Sequence, residues 1–182
     1  MESLTTACRT FVSVGSNMGD KLDNCLGGIA ALAKVSHTFL EAVSRFYRTS
    51  PVDYTDQDWF VNAVAEIRTS LSPDALLGHL QDIQTRMGRK NHGIRFGPRV
   101  LDLDILLMGD LTIRSLHLEI PHPRMHKRTF VLKPICDIDP SVVHPVLGCS
   151  MADLLKAFEN TPEGAEQKIA VLRDAPAITE GR

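Results

Sequence analysis

Apolar residues recur along this chain at two spacings, and the switches between them set the expected elements. Thr10-Phe11-Val12-Ser13-Val14, rich in β-branched and aromatic residues, predicts a short strand that runs into the turn-rich Gly15-Ser16-Asn17-Met18-Gly19-Asp20. From Lys21 to Val35, Leu22, Cys25, Leu26, Ile29, Leu32 and Ala33 recur at helical spacing, with Asp20 available as the cap. Phe39 to Tyr47 predicts a second strand. Trp59 to Thr69 predicts a third, because Val61, Ala63, Ala65 and Ile67 alternate with Phe60, Asn62, Val64 and Glu66, one buried face against one mixed face. Ser72-Pro73 begins a helix with a capping residue and a proline at the first helical position. Leu76, Leu77, Leu80, Ile83 and Met87 are its stripe, and Gly88 ends it.

The run from Leu101 to Leu107 predicts the fourth strand, and Met108-Gly109-Asp110 a hairpin turn into Leu111-Thr112-Ile113. Leu118-Glu119-Ile120 leads to Pro121-His122-Pro123, which excludes regular structure there. A short helix is expected from Met125 to Leu132, bounded by Pro134, and a last helix from Ser150 to Phe158. Beyond Asn160 the polar, Gly- and Pro-interrupted sequence predicts a loosely held tail, so that a domain over 1–160 is followed by a tail over 161–182. The order β-α-β-β-α-β predicts an α+β fold with a ferredoxin-like core. One mostly antiparallel sheet would carry helices on one face and leave the other for ligands, with extra C-terminal elements.

Composition changes this picture little. At 182 residues, 43% hydrophobic and 23% charged, the chain has room for a real core in one domain. A net charge of −2 gives no global case for nucleic acid or an anionic membrane as partner. No apolar run spans a bilayer, and the first residues lack a secretory pattern. Cys8, Cys25, Cys136 and Cys149 have no metal or disulfide spacing and read as separate thiols of a cytoplasmic protein.

The chemistry concentrates in Gly97-Pro98-Arg99-Val100-Leu101-Asp102-Leu103-Asp104-Ile105. On a strand, Asp102 and Asp104 share one face while Leu101, Leu103 and Ile105 take the other. Two carboxylates this close repel unless a cation lies between them, and a hard divalent ion completed by substrate phosphates fits. Met87 to Leu101 holds no acidic residue but carries Arg89, Lys90, Arg95 and Arg99. Arg124 and Arg128 form a second basic group beyond the strand. Guanidinium forks suit phosphate oxygens. His122, held stiffly between prolines, is either a solvent-facing side chain or a positioned hydrogen-bond donor. Asn62, with Phe60 on its strand face and Phe130 later in the chain, could read the edge of a flat heterocycle that the rings stack upon. Taken singly, both phenylalanines read as core. There is no P-loop, no nucleophile elbow and no His-Glu-x-x-His motif.

Taken together, the segments resemble the 6-hydroxymethyl-7,8-dihydropterin pyrophosphokinase family of folate biosynthesis. The matching pieces are Gly15-Ser16-Asn17, Tyr47-Arg48-Thr49-Ser50-Pro51, Phe60-Val61-Asn62-Ala63, Gly88-Arg89, the Gly97 to Ile105 run, Pro121-His122-Pro123 and Arg128-Thr129-Phe130-Val131-Leu132. The resemblance implies a ferredoxin-like monomeric enzyme that takes ATP and the pterin as small-molecule substrates, with Asp102 and Asp104 holding two Mg²⁺ ions. It implies catalytic roles for Asp102, Asp104, Arg89 and Arg99. ATP would be bound by Gln81, Gln84, Arg99, Ile105, His122 and Arg128, and the pterin by Thr49, Pro51, Val52, Phe60, Asn62 and Phe130. Three positions depart from the family pattern: Gln84 stands for a usual Glu, Phe96 for a Trp of some members, and Ser50 for the first residue of a Pro-Pro pair. A two-metal nucleotidyltransferase is a rival reading, and it requires a third carboxylate, for which Glu66 is the candidate. A non-catalytic nucleotide-binding module is another, with little use for both aspartates.

Overall fold

The computed structural model describes residues 7–52, 54–88 and 97–172. Its central strand pair is β1 (Cys8–Ser16) with β4 (Phe60–Thr69), antiparallel and in unbroken register from Cys8 opposite Thr69 to Ser16 opposite Val61. β5 (Asp102–Met108) flanks β1 on the other side, also antiparallel. The far edge of β4 is shared by β2 (Thr38–Val43) and β3 (Tyr47–Thr49), and β3 pairs in turn with β8 (Ile169–Val171). With α1 (Lys21–Leu32) between β1 and β2, and α2 (Pro73–Arg86) between β4 and β5, the βαββαβ order is the expected ferredoxin-like one. Asp20 and Ser72 cap these two helices through their side chains, on the backbone N–H groups of Asp23 and Ala75. Among the described residues no helix is long and apolar enough to cross a membrane.

The expected strand over Phe39 to Tyr47 is broken in two. Ser44 keeps the ladder closed across the break: its N–H donates to the Val64 carbonyl at 2.9 Å, and its Oγ accepts from the Val64 N–H at 2.9 Å. The expected hairpin after Met108 is also modified. Gly109 turns the chain, but β6 (Ile113–Arg114) pairs with β7 (Glu119–Ile120) in a separate ribbon and not with β5. The helix expected over Met125 to Leu132 is displaced. Met125–Lys127 is a 3₁₀ turn, and α3 (Thr129–Ile138) starts later and runs through Pro134. Pro134 forfeits one helical bond, and the burial of Val131, Leu132 and Ile135 outweighs it. Residues 161–172, expected as part of a loose tail, carry α5 (Pro162–Glu166) and β8. Residues 173–182 lie outside the described residues.

Both faces of the sheet bear apolar clusters. The main one packs Val12, Val14, Ala63, Ile67, Leu103 and Ile105 against Ile29, Leu32, Leu76 and Leu80 of α1 and α2. The opposite face, expected to be left to ligands, is half covered. There Phe11, Val64, Leu106 and Leu107 meet α3 and α4 (Met151–Glu159). Both leucines reach this side because the β1–β5 register shifts between Phe11 and Val12, which leaves Leu106 as the extra residue of a bulge. The other half of that face remains open.

Candidate active site

The open half is a cleft of about 680 Å³, bounded by Ser13 and Gly15 of β1, Phe60 and Asn62 of β4, Asp102 and Asp104 of β5, by Thr49, Ser50, Val52 and Tyr54, and by Arg128 with Phe130 where α3 begins. Strand register makes the site. Ser13 lies opposite Asp104, and Gly15 lies opposite both Asp102 and Asn62, so odd positions of β1 bring the carboxylates and the amide to one face. Leu101, Leu103 and Ile105 turn into the main core, as the alternation requires.

A cation already stands beside the acidic pair. Arg99 donates from Nη1 to Asp102 Oδ1 at 2.7 Å, with both side chains about a quarter exposed. The Arg99 backbone is itself held. Its N–H donates to Asn17 Oδ1 at 2.8 Å, and its carbonyl accepts from the Asn17 N–H at 3.1 Å. Asn17, nearly fully buried, also donates from Nδ2 to Gln57 Oε1 at 2.9 Å. Gln84 is buried too. Its Oε1 accepts from the Leu103 N–H at 3.1 Å and its Nε2 donates to the Leu80 carbonyl at 3.2 Å, so it grips the strand between the two aspartates.

Asn62 is 8% exposed and donates from Nδ2 to Thr49 Oγ1 at 2.7 Å. Gly15 makes room for it, since a Cβ at position 15 would stand 2.6 Å from Asn62 Oδ1. The Arg128 guanidinium lies 5.4 Å from the centre of the Phe130 ring, a cation–π distance. His122 is held neutral: burial, then the charges of Arg128 and Arg124, push it down to about 4. Its Nδ1 accepts from the Arg124 N–H at 3.2 Å, which puts the proton on Nε2. It lines a second cleft, of about 640 Å³, together with Leu77, Ile105 and the loop from Ser115 to Glu119. Asp104 lines both clefts.

Two carboxylates backed by an arginine suit a hard divalent cation that takes its other oxygens from phosphates and water. Among the described residues no group of three or more His, Cys, Asp or Glu could hold a metal without such help. Glu66 does not supply a third carboxylate. It accepts from Arg9 at 2.7 and 3.0 Å, and Arg9 also bridges to Asp139 at 2.8 Å, away from the cleft.

The structure thus gathers Asp102, Asp104, Arg99, Arg128, Thr49, Val52, Phe60, Asn62 and Phe130 at one cleft, and Ile105 and His122 at the other. Gln81 stands exposed on α2 outside both, and Gln84 faces the strand backbone. Pro51 does not line the first cleft, although Ser50 and Val52 on either side do. Arg89 and Phe96 lie outside the described residues. Sequence reasoning missed Ser13, Tyr54 and Gln57 among the lining residues. Ser13 could have been found, because it alternates with Gly15 on the strand face opposite Val12 and Val14. Tyr54 and Gln57 sit in an irregular loop, where no periodicity marks them.

A family model described as 7,8-dihydro-6-hydroxymethylpterin-pyrophosphokinase matches residues 11–140. The chain is 41% identical over 128 residues to the 2-amino-4-hydroxy-6-hydroxymethyldihydropteridine pyrophosphokinase of Bacillus subtilis, covering 70% of this chain and 76% of that protein. With the protein of the same name from Pseudomonas aeruginosa it is 39% identical over 149 residues, 82% of this chain and 91% of that one. It is 42% identical over 137 residues to the folic acid synthesis protein FOL1 of Dictyostelium discoideum, covering 75% of this chain but only 20% of that longer protein. In fold it is similar to a crystal structure of Plasmodium falciparum HPPK-DHPS, with a TM-score of 0.70 at 14% identity, over 86% of this chain and 46% of that one. The chain belongs to the 7,8-dihydro-6-hydroxymethylpterin-pyrophosphokinase family.

Proposed function

We propose that the chain transfers a pyrophosphoryl group from ATP to the hydroxymethyl oxygen of 6-hydroxymethyl-7,8-dihydropterin, releasing AMP and forming the pterin diphosphate, a step of folate biosynthesis. The observation that carries this reading is that Asp104 lines both clefts. An acceptor in one and a nucleotide in the other would meet at the acidic pair. The first cleft suits the pterin, with Phe60 and Phe130 at its ring faces and Asn62, oriented by Thr49, at its polar edge. The second suits the nucleotide, with Ile105 and Leu77 supplying apolar contact and the neutral His122 donating from Nε2 to a phosphate oxygen. Asp102 and Asp104 would hold two Mg²⁺ ions, which supply charge screening and Lewis acidity at the transferring phosphorus. Arg99 and Arg128, with Arg89, neutralise charge that builds on the phosphates during transfer. Four free thiols support a reducing, cytoplasmic setting, and the enzyme is proposed to act as a monomer.

Phosphorus NMR of a reaction with ATP, Mg²⁺ and the pterin alcohol tests the reading. AMP and a pterin diphosphate are expected. ADP with a pterin monophosphate, or free pyrophosphate with an adenylylated product, would overturn the mechanism.

A further inference from the structure

The segment after α4 lies beyond the residues matched by the family, yet it touches both walls of the first cleft. The chain reverses at α5, where Thr161 Oγ1 accepts from the Gly164 N–H at 3.0 Å. Gly164 packs so tightly on the end of α4 that a Cβ there would stand 2.0 Å from the Phe158 carbonyl oxygen. The chain then returns along the sheet as β8. On one wall, the Ser50 N–H donates to the Lys168 carbonyl at 2.9 Å, and Ser50 Oγ accepts from the Lys168 N–H at 3.0 Å. The β3–β8 ladder continues that grip. On the other wall, Gln167 Oε1 accepts from the Thr129 N–H at 2.9 Å, and its Nε2 donates to the Lys127 carbonyl at 3.0 Å. Those are the backbone groups on either side of Arg128. Arg128 is the N-cap residue of α3 and makes no capping bond with its own side chain. The first N–H of α3 is therefore satisfied from 38 residues further along the chain.

We infer that Gln167 is a positioning residue of the site. It caps α3 from outside and, through the adjoining Lys168 to Ser50 pair, fixes the wall of Arg128 and Phe130 relative to the wall of Thr49 and Ser50. The inference rests on the first cleft being the pterin site. It also gives the departure at Ser50 a purpose, since a proline there would offer neither the N–H nor the hydroxyl that Lys168 engages.

The test uses the full chain with Gln167→Ala, Gln167→Glu and Ser50→Pro, measuring KM for each substrate and amide hydrogen exchange. Losing the two bonds of Gln167 should raise the pterin KM by about 3- to 10-fold and speed exchange at the Thr129 amide, with a smaller rise in the ATP KM through Arg128, since Ile105 and His122 lie in the other cleft. Gln167→Glu keeps the acceptor for Thr129 but sets a second acceptor against the Lys127 carbonyl, and should recover part of the loss. Ser50→Pro should raise exchange at the Lys168 amide and raise the pterin KM. An unchanged pterin KM in a Gln167→Ala protein whose Thr129 amide exchanges faster overturns the inference. Equal loss for both substrates, or no recovery with Glu, reduces Gln167 to a general stabilising role and overturns it as well. Asn62→Ala, measured alongside, separates the two levels. If it leaves the pterin KM unchanged, the pterin assignment has failed and takes the positioning role with it. If it raises the KM while Gln167→Ala does not, the positioning role alone has failed.

Discussion

One face of the sheet has two ends that use the same strands for opposite purposes. At the closed end, Phe11, Val64, Leu106 and Leu107 are buried under α3 and α4. One step along each strand on that face come Ser13, Asn62 and Asp104, and one step further Gly15, Phe60 and Asp102, all at the open cleft. The β1–β4 register runs unbroken through both ends and by itself does not distinguish them, although the β1–β5 bulge lies at the closed end. Side-chain chemistry does, together with the helices that stop short of the cleft. A carboxylate pair adds nothing to a core, and its close spacing is unfavourable by itself. It is tolerated because the platform beneath it is stabilised elsewhere, by the main core on the other face and the second core at the closed end.

That division is broken most severely at Asp104. Asp104→Asn should lower turnover by roughly 10²- to 10⁴-fold, the equivalent of several kcal/mol of lost transition-state stabilisation, with a Tm within a few degrees of wild type. Near-normal turnover would show that the pair is ornamental. The converse break is Phe11→Ala at the closed end. It empties a buried ring that also lies 5.0 Å from the Arg9 guanidinium, and should cost about 3–5 kcal/mol in urea unfolding. Turnover per folded molecule should stay within about twofold. A large loss of turnover at unchanged stability would erase the distinction between the ends.

The two ends were not equally legible in the sequence. The carboxylate pair declared itself, since Asp is a poor strand former set inside an apolar run, and alternation fixed its face. Asn62 and Phe60 were legible for the same reason. What stayed hidden depends on contacts between distant segments. Nothing in Val131 to Ile138 says that α3 will run through Pro134, because the decision rests on burial against Phe11 and Val64. Gln84 looked like a ligand contact, but its position on the inner side of α2 aims it at the Leu103 N–H. The tail looked loose by composition, yet β8 needs only three residues once Ser50 and Gln167 anchor it.

A pH titration extends the comparison to the neighbouring cleft by reading the cost of burying His122 there. His122 has its proton affinity depressed to about 4 by burial first and then by Arg128 and Arg124. An unfolded histidine binds a proton near 6.5, so between about pH 6.5 and 4 the unfolded chain takes up a proton that the folded chain refuses. Stability should fall as pH drops through that window, by at most about 3 kcal/mol and less with partial solvent access. His122→Gln should flatten this part of the curve relative to wild type. An identical slope in both proteins would mean that His122 is not held neutral.

The smallest expected effect probes how the open end keeps Asn62 in place. Asn62 donates to Thr49 Oγ1 while its Oδ1 lies against the space that Gly15 leaves empty. In that arrangement the amide oxygen faces the space over Gly15, and the Thr49 hydroxyl, which can donate or accept, does not by itself set the orientation. Asn62→Ala removes the reader and should weaken pterin binding by about 1–3 kcal/mol, the range for leaving buried polar groups of a ligand unpaired. Thr49→Val keeps the shape and the reader and removes only its anchor. The amide is then free to turn, and pterin binding should weaken by about 0.5–1.5 kcal/mol, with ATP binding unchanged because Thr49 does not line the second cleft. Calorimetry with each substrate separates these cases. If Thr49→Val costs as much as Asn62→Ala, the hydroxyl contacts the pterin directly. If it costs nothing, Gly15 and the strand register suffice to hold the amide, and orientation at the open end is set by the same backbone that packs the closed one.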